Sequence, residues 1–470
     1  MAKAGWKVTV VEKNAGPGGR AGVLEEDGFV FDRGPSWYWM PDVFDHFFSS
    51  FGKKAGDYYK LVRLDPSYRV YWEDGPQDIP AEYPRLKEVF ESIEPGSARK
   101  LDQYLEGAAY KYRTGVGNLV YKPGLSLTEF LDWTTIKGMF KLSVFTSIRK
   151  HIHHYFKTEK LRRLMAFPVL FLGAPPENTP ALYSLMNYAD IRGGTWYPEG
   201  GLYSVVKALY QLALEEGVEF HFNEAVKKIN VVKNTVQTVQ TEKGEYRQDA
   251  VISNADYHFT ETRLLDAEFR SYSDSYWEKR EMAPSCLLYY VGLNKKLVDV
   301  CHHSLFFDVP FDVHASEIYS RPGWPSNPLF YVSANSVTDS SVSPAGCENL
   351  FFLIPVAAGL EGDTAELRKR YFELLVDRME KQTGQKFREN IIYYKSYAVA
   401  DFVNDYNSFR GNAYGLANTL RQTAIFKPSC RSRKVKNLFY TGQLTVPGPG
   451  VPPALISGEV VAGALLKSFQ

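Results

Sequence analysis

The chain's 470 residues allow roughly three folding units, or two with insertions. At 44% apolar and 23% charged residues it buries large cores and is not disordered. Lysine and arginine number 55 against 54 acids, a net charge of +1, which excludes a phosphate backbone as the main partner, so no nucleic acid is expected.

In chain order, residues 2–5 read as the last turn of a helix closed by Gly5. Residues 7–12 (Lys-Val-Thr-Val-Val-Glu) read as a short buried strand ending in an acid. Helix end, glycine, strand and acid form the second half of a dinucleotide-binding βαβ unit, whose acid bonds a ribose hydroxyl. Glu12 is the candidate for that role, and an edge strand with an exposed glutamate is the competing reading. The glycine-rich phosphate turn that lies about 20 residues before such an acid has no room here. The expectation is a Rossmann-like unit that is N-terminally incomplete. Gly18 and Gly19 let a backbone approach a pyrophosphate, and Arg20 supplies a charge-assisted donor to it. A plain turn into the next strand, residues 28–32, is the alternative.

Residues 68–72, 287–293 and 350–354 read as strands of a second sheet, rich in Tyr and Phe. Such a sheet suits an apolar substrate wall, although ordinary core packing explains most of its rings. Residues 136–163 hold eight cations against the single acid Glu159, interleaved with apolar and aromatic residues. An amphipathic basic helix suits an anionic membrane surface, and a solvated helix face is the bland alternative. His151, His153 and His154 lie there without a nearby carboxylate, so no metal is expected. Residues 202–216 read as an amphipathic helix, 219–222 and 226–232 as strands. Asn254 closes a buried strand, where open α/β sheets place ligands. The four cysteines, Cys286, Cys301, Cys347 and Cys430, form no C-x-x-C pair and suit a reducing compartment. No uninterrupted apolar run reaches membrane-span length and no secretory h-region is legible, so a cytoplasmic location is expected.

Residues 437–442 form a strand running into Gly442. After a Pro/Gly loop from Gln443, residues 451–466 read as a helix with prolines where a first turn tolerates them. Small residues Ala454, Ser457, Gly458 and Gly463 permit close packing of that helix. Its N-terminus, at Gly450 and Val451, carries partial positive charge that favours an anionic group aimed at it. A loop before a C-terminal helix is the plain reading.

Seven short motifs join the two ends in order. They are Gly28-Phe-Val-Phe-Asp-Arg-Gly-Pro35, Gly173-Ala-Pro-Pro with Ala181-Leu-Tyr-Ser, Trp196-Tyr-Pro-Glu-Gly-Gly201, Val251-Ile-Ser-Asn-Ala-Asp256, Tyr331-Val-Ser, Thr338-Asp-Ser-Ser with Pro344-Ala-Gly346, and Gly411-Asn-Ala-Tyr-Gly-Leu416 with Gln422. Over essentially the whole chain the sequence resembles the bacterial-type phytoene desaturases, FAD-dependent carotenoid desaturases of the amine-oxidase-like flavoprotein superfamily. The resemblance implies an α/β fold with a discontinuous FAD-binding domain (1–60, 195–285 and 425–470). An interleaved mixed-sheet substrate domain (61–194 and 286–424) would carry a helical, membrane-facing region at about 125–165. It implies Gly34 and Pro35, the backbone of Val226 beside the adenine, Asn254, Gly442 and Gln443 as cofactor contacts. Gln443 stands where relatives often carry Asp, Ala or another small residue. The implied reaction carries phytoene towards lycopene by hydride abstraction in an apolar tunnel. Oxygen or a membrane quinone is the implied electron acceptor, with peripheral contact at the cytoplasmic membrane. The alternatives are a hydroxycarotenoid 3,4-desaturase, a C30 desaturase, a carotenoid isomerase, an amine oxidase, or an inactive truncated fragment. No catalytic residue is assigned; Asp401 and Arg192 resemble polar positions of the family but read as surface or structural residues.

Overall fold

The computed structural model describes residues 1–117, 119–126, 129, 146–170, 173–419 and 421–470. Two parallel strand pairs carry the ends of the chain. Thr9–Val11 lies beside Glu219–His221, with Thr9 opposite Glu219 and Val11 opposite His221. Val251–Ser253 lies beside Leu438–Tyr440, with Ser253 opposite Tyr440. β-branched and aromatic residues fill these short runs, as a pleated, half-buried surface favours. An antiparallel meander of Val226–Val232, Thr235–Thr241 and Glu245–Arg247 stands apart. Its first hairpin turns at Lys233 and Asn234, both at positive φ, as a two-residue hairpin loop requires.

The second sheet has seven strands. Their order is Ile391–Tyr397, Ser285–Leu293, Glu348–Val356, Phe330–Ser333, His303–Phe306, Tyr68–Trp72, Gly75–Ile79. His303–Phe306 and Tyr68–Trp72 run parallel and the other neighbours antiparallel, so the sheet is mixed. Both faces are covered, which explains why Ser285–Leu293 reads as a nearly continuous apolar run rather than an alternating one. Leu287, Tyr289, Val291 and Leu293 pack against Tyr371, Phe372, Leu375 and Met379 of the Ala365–Thr383 helix. Leu288 and Tyr290 belong to the opposite core, shared with the helices Ser97–Gly117, Ile148–Tyr155 and Glu159–Leu170.

The basic segment differs from the expectation of one membrane-facing amphipathic helix. Its first part, 136–145, lies outside the described residues. In the rest the chain leaves the helix after Tyr155 and re-enters it at Glu159. Ile148, Ile152 and Phe156 are buried in the core. Arg149 pairs with Glu177, Lys160 with Asp74 at 2.6 Å and Arg163 with Glu159 at 3.1 Å. The apolar stripe of this part is therefore interior, and half of its six cations are neutralised by the protein itself. The C-terminal helix, Val451–Ser468, carries Pro452 and Pro453 in its first turn, as expected. Of its small residues only Ser457 is buried; Ala454, Gly458 and Gly463 face outward rather than packing closely. No helix among the described residues is long and apolar enough to cross a membrane.

Candidate cofactor site and aromatic wall

The parallel register of Val251–Ser253 with Leu438–Tyr440 brings both strands to an end together. Asn254 and Gly442 therefore meet: a Cβ on Gly442, whose φ is +102°, would lie 3.2 Å from Asn254 Nδ2. The Gly442 amide donates to Ser457 Oγ of the C-terminal helix at 3.0 Å. Arg20 reaches the same seam from the start of the chain. Its Nη2 donates to Ser408 Oγ at 2.8 Å and to Asn412 O at 3.4 Å, and the guanidinium lies 5.0 Å over the Tyr406 ring. The Gln443 amide sits against Arg20 and Asn412. In the orientation that satisfies both its ends, its oxygen accepts from Arg20 Nη2 at 3.2 Å and its nitrogen donates to Ala413 O at 3.1 Å. The two ends of the chain are joined through this contact and through Trp6, edge-to-face with Phe469 at 5.0 Å.

Gly18 and Gly19 form a tight turn at positive φ just before Arg20. A Cβ on Gly34 would come within 2.7 Å of Arg20 O, so Gly34 admits the Arg20 backbone, and half-buried Pro35 follows it. Glu12 stands in a second group. Its Oε1 accepts from the Asn14 amide at 2.7 Å, its N donates to His221 O, and its O accepts from Glu224 N, both at 2.9 Å. That last bond places Glu12 two residues from half-buried Val226, which begins its strand opposite Thr241. Gly450 caps the C-terminal helix at φ +113°, and Val451 is its first residue.

Three buried polar atoms find no partner among the described residues: Arg20 Nε, Asn418 Oδ1 and Thr419 Oγ1. Asn418 Oδ1 lies 3.2 Å from where a Cβ would stand on Gly448. Leaving such groups unmade costs about 1–3 kcal/mol each, which a polar ligand against them would offset. Burial lowers the Arg20 pKa, and buried Asp256, fixed by the Phe259 and Phe409 amides, opposes that shift. A carboxylate at one group, suited to hydroxyls, and a buried arginine at the other, suited to phosphate, fit FAD. Glu12 and Val226 would hold the nucleoside end, Gly18, Gly19 and Arg20 the pyrophosphate, and Asn254, Gly442, Gln443, Gly450 and Val451 the ring side.

Sequence reasoning missed Asp32. Its buried carboxylate accepts from the amides of Leu202 at 2.8 Å and Tyr203 at 3.0 Å, at the start of the Tyr203–Glu215 helix. Burial pushes its pKa up to about 6 against those bonds. A Cβ on Gly201 would stand 2.9 Å from both Asp32 oxygens, so the double glycine gives the acid room. Acid and glycines both stand in recognised motifs. Their pairing was not legible because 170 residues separate donor from acceptor.

The seven-stranded sheet contributes rings beside this site. Trp37 stacks on His303 at 4.1 Å and neighbours Trp39, Tyr68, Phe167 and Tyr331. His303 Nδ1 is hydrogen-bonded with Tyr331 Oη at 2.6 Å, and burial lowers the imidazole pKa. Asp190 accepts from Tyr68 Oη at 3.1 Å and Thr195 Oγ1 at 3.0 Å, and burial raises it to about 6. Trp37 and Tyr68 both meet Phe167 of the helical layer, so this stretch of wall is in contact with the helices and does not border an open channel. A cavity beside Asp32, Ser36 and Ser333 holds about 10 Å³. Arg192 lies over the Tyr83 ring at 4.5 Å. Asp401 pairs with Arg368 at 2.7 Å and caps Ala398 N at 2.8 Å.

Comparison with known proteins gives the family. The family model described as flavin containing amine oxidoreductase matches residues 1–466. The chain is 41% identical to a carotenoid 3,4-desaturase of Haloarcula japonica, over 100% of this chain and 95% of the relative. It is 32% identical to a zeta-carotene-forming phytoene desaturase of Myxococcus xanthus, over 99% and 90%. Among solved structures, putrescine oxidase bound to putrescine superimposes with a TM-score of 0.61 at 12% identity, covering 99% of this chain and 94% of that one. An oxidoreductase from Methanosarcina mazei gives 0.63 at 15%, covering 99% and 95%. The chain thus belongs to the flavin-containing amine oxidoreductases, in the family of FAD-dependent carotenoid desaturases.

Proposed function

We propose that the protein desaturates a carotenoid precursor, removing a hydride from one carbon of a lipophilic polyene and a proton from its neighbour. FAD, when bound, supplies the two-electron acceptor that carbon–hydrogen bonds of this kind require. The observation that carries the reading is the Arg20–Gln443–Asn412 contact, which closes the two chain ends over one seam with Arg20 Nε unpartnered. The chain's own residues bind and orient. Arg20 presents a cation held by Ser408 and Asn412. The first turn of the Val451–Ser468 helix adds partial positive charge at the ring side. A polyene has no polar group to grip, so its binding would rest on apolar area and on the exclusion of water.

The first substrate reading is phytoene, carried towards lycopene. Desaturation at the 3,4 position of a carotenoid is the second, and the 41% identity along the full chain favours it. Oxygen or a membrane quinone would accept the electrons, and the protein would meet the cytoplasmic membrane peripherally, where its substrate dissolves. Expression in hosts accumulating phytoene or lycopene, with chromatography of the pigments, tests this. Lycopene formed from phytoene supports the first reading. Lycopene lengthened by a double bond, with phytoene untouched, supports the second. Unchanged pigments in both hosts overturn the proposal.

A further inference from the structure

A cavity of about 420 Å³ opens between residues 124–126 and 425–433. The two stretches touch: Cys430 Sγ lies 3.6 Å from Pro123 O, and the Cβ position of Gly124 is 3.6 Å from Ala424 O. Leu125, Lys427, Ser429, Arg431, Ser432 and Arg433 line it, and among the described residues no acid does. Its cations are uncommitted. Arg431 and Arg433 lie over the Phe439 and Tyr272 rings, at 5.9 and 4.7 Å, without a carboxylate partner among the described residues. Lys427 also lines it, but its Nζ lies 3.2 Å from where a Cβ would stand on Gly448, beside Asn418 Oδ1, and burial lowers its pKa to about 7, so it does not count among the cations of the hollow. Glu129, beside the wall, is occupied by the amides of Gly124, Leu125 and Ser126. Two arginines without a carboxylate partner among the described residues and two serine hydroxyls around one hollow suit an anion with several acceptor oxygens.

The rim states which source that anion has. Leu125 is 45% exposed, and Phe426, next to the lining residue Ile425, is 58% exposed. Large apolar side chains flanking a basic hollow match the layering of a membrane surface, with acyl chains beside phosphates. We infer that this cavity receives the phosphate of an anionic phospholipid headgroup while Leu125 and Phe426 enter the interface. The inference deepens the membrane contact proposed above. It moves that contact from the basic helices, whose apolar side is interior, to the 124–126 and 425–433 face.

The test uses the FAD-loaded full chain and sedimentation with vesicles. One set holds phosphatidylglycerol and phosphatidylcholine in equal parts, the other phosphatidylcholine alone. The protein should prefer the anionic vesicles, and Arg431→Gln/Arg433→Gln should weaken that binding roughly 10- to 30-fold. Lys369→Gln/Lys381→Gln, which removes two exposed cations from the Ala365–Thr383 helix, should bind as the parent does. Equal binding by the Arg431→Gln/Arg433→Gln variant overturns the cavity and leaves peripheral contact standing. A parent protein that binds no anionic vesicle overturns both. Calorimetric binding of inorganic phosphate without vesicle binding assigns the hollow to a free ion. Loss of FAD from the double variant assigns it to the cofactor. Either result overturns the lipid assignment.

Discussion

Arg20 is the residue on which both chain ends converge. It donates to Ser408 and Asn412 and meets Gln443, while its Nε is left unpartnered. A hydrogen bond from a charged group contributes about 1.5–3 kcal/mol, so Arg20→Ala should weaken FAD binding roughly 10- to 100-fold. Titration of the apoprotein with FAD, followed by flavin fluorescence, measures this, and unchanged affinity would remove Arg20 from the site. Asp32 makes a pH prediction. Its folded pKa, about 6, lies above the ordinary carboxylate value of 3.8. The folded state therefore holds this proton more tightly, and the contribution of Asp32 to stability falls as pH rises from about 4 to about 6, then stays level. The unfolding free energy of the parent relative to Asp32→Asn, from denaturant melts at each pH, should decline across that window, on the order of 3 kcal/mol in all. A difference that stays flat or climbs there contradicts the reading. Arg20, Asn254 and Gly442 were legible because each stands in a local glycine-rich or strand-end pattern. Ser408, Asn412 and the helix start that receives Asp32 were not, because their partners arrive from hundreds of residues away and leave no local period.

Among the elements, the two parallel strand pairs deliver the site and the C-terminal helix anchors it. Gly442 turns at φ +102° against Asn254 and hands its amide to Ser457. Gly442→Val should cost about 1–3 kcal/mol from backbone strain alone, with loss of bound flavin. Gly458, in the same helix, has open space around its missing Cβ. Gly458→Ala should therefore stabilise by about 0.5–1 kcal/mol through helix propensity. Thermal melts of the two variants check both signs, and equal destabilisation would mean that the glycines act only by their flexibility. The strands at 68–72, 287–293 and 350–354 were read from apolar runs and appear as Tyr68–Trp72, Ser285–Leu293 and Glu348–Val356. In the described part of the basic segment the apolar stripe faces the core, and charge and apolar periodicity look the same on a helix facing lipid and on one facing a core. Burial of Ile148, Ile152 and Phe156 separates the two cases.

At the scale of the molecule, a mixed sheet with rings on its inner face stands beside a seam closed by both ends of one chain. Neither is a local property, which is why the ordered motifs carried more information than any single one. The same fold is found in putrescine oxidase at 12% identity, so architecture alone leaves the substrate open. The most direct measurement is anaerobic mixing of the FAD-loaded protein with carotenoid dissolved in liposomes, following the visible flavin band and the polyene absorption together. The flavin band should bleach as one new conjugated double bond forms per flavin, and putrescine should leave it oxidised. Bleaching by the amine with the carotenoid untouched would contradict the account.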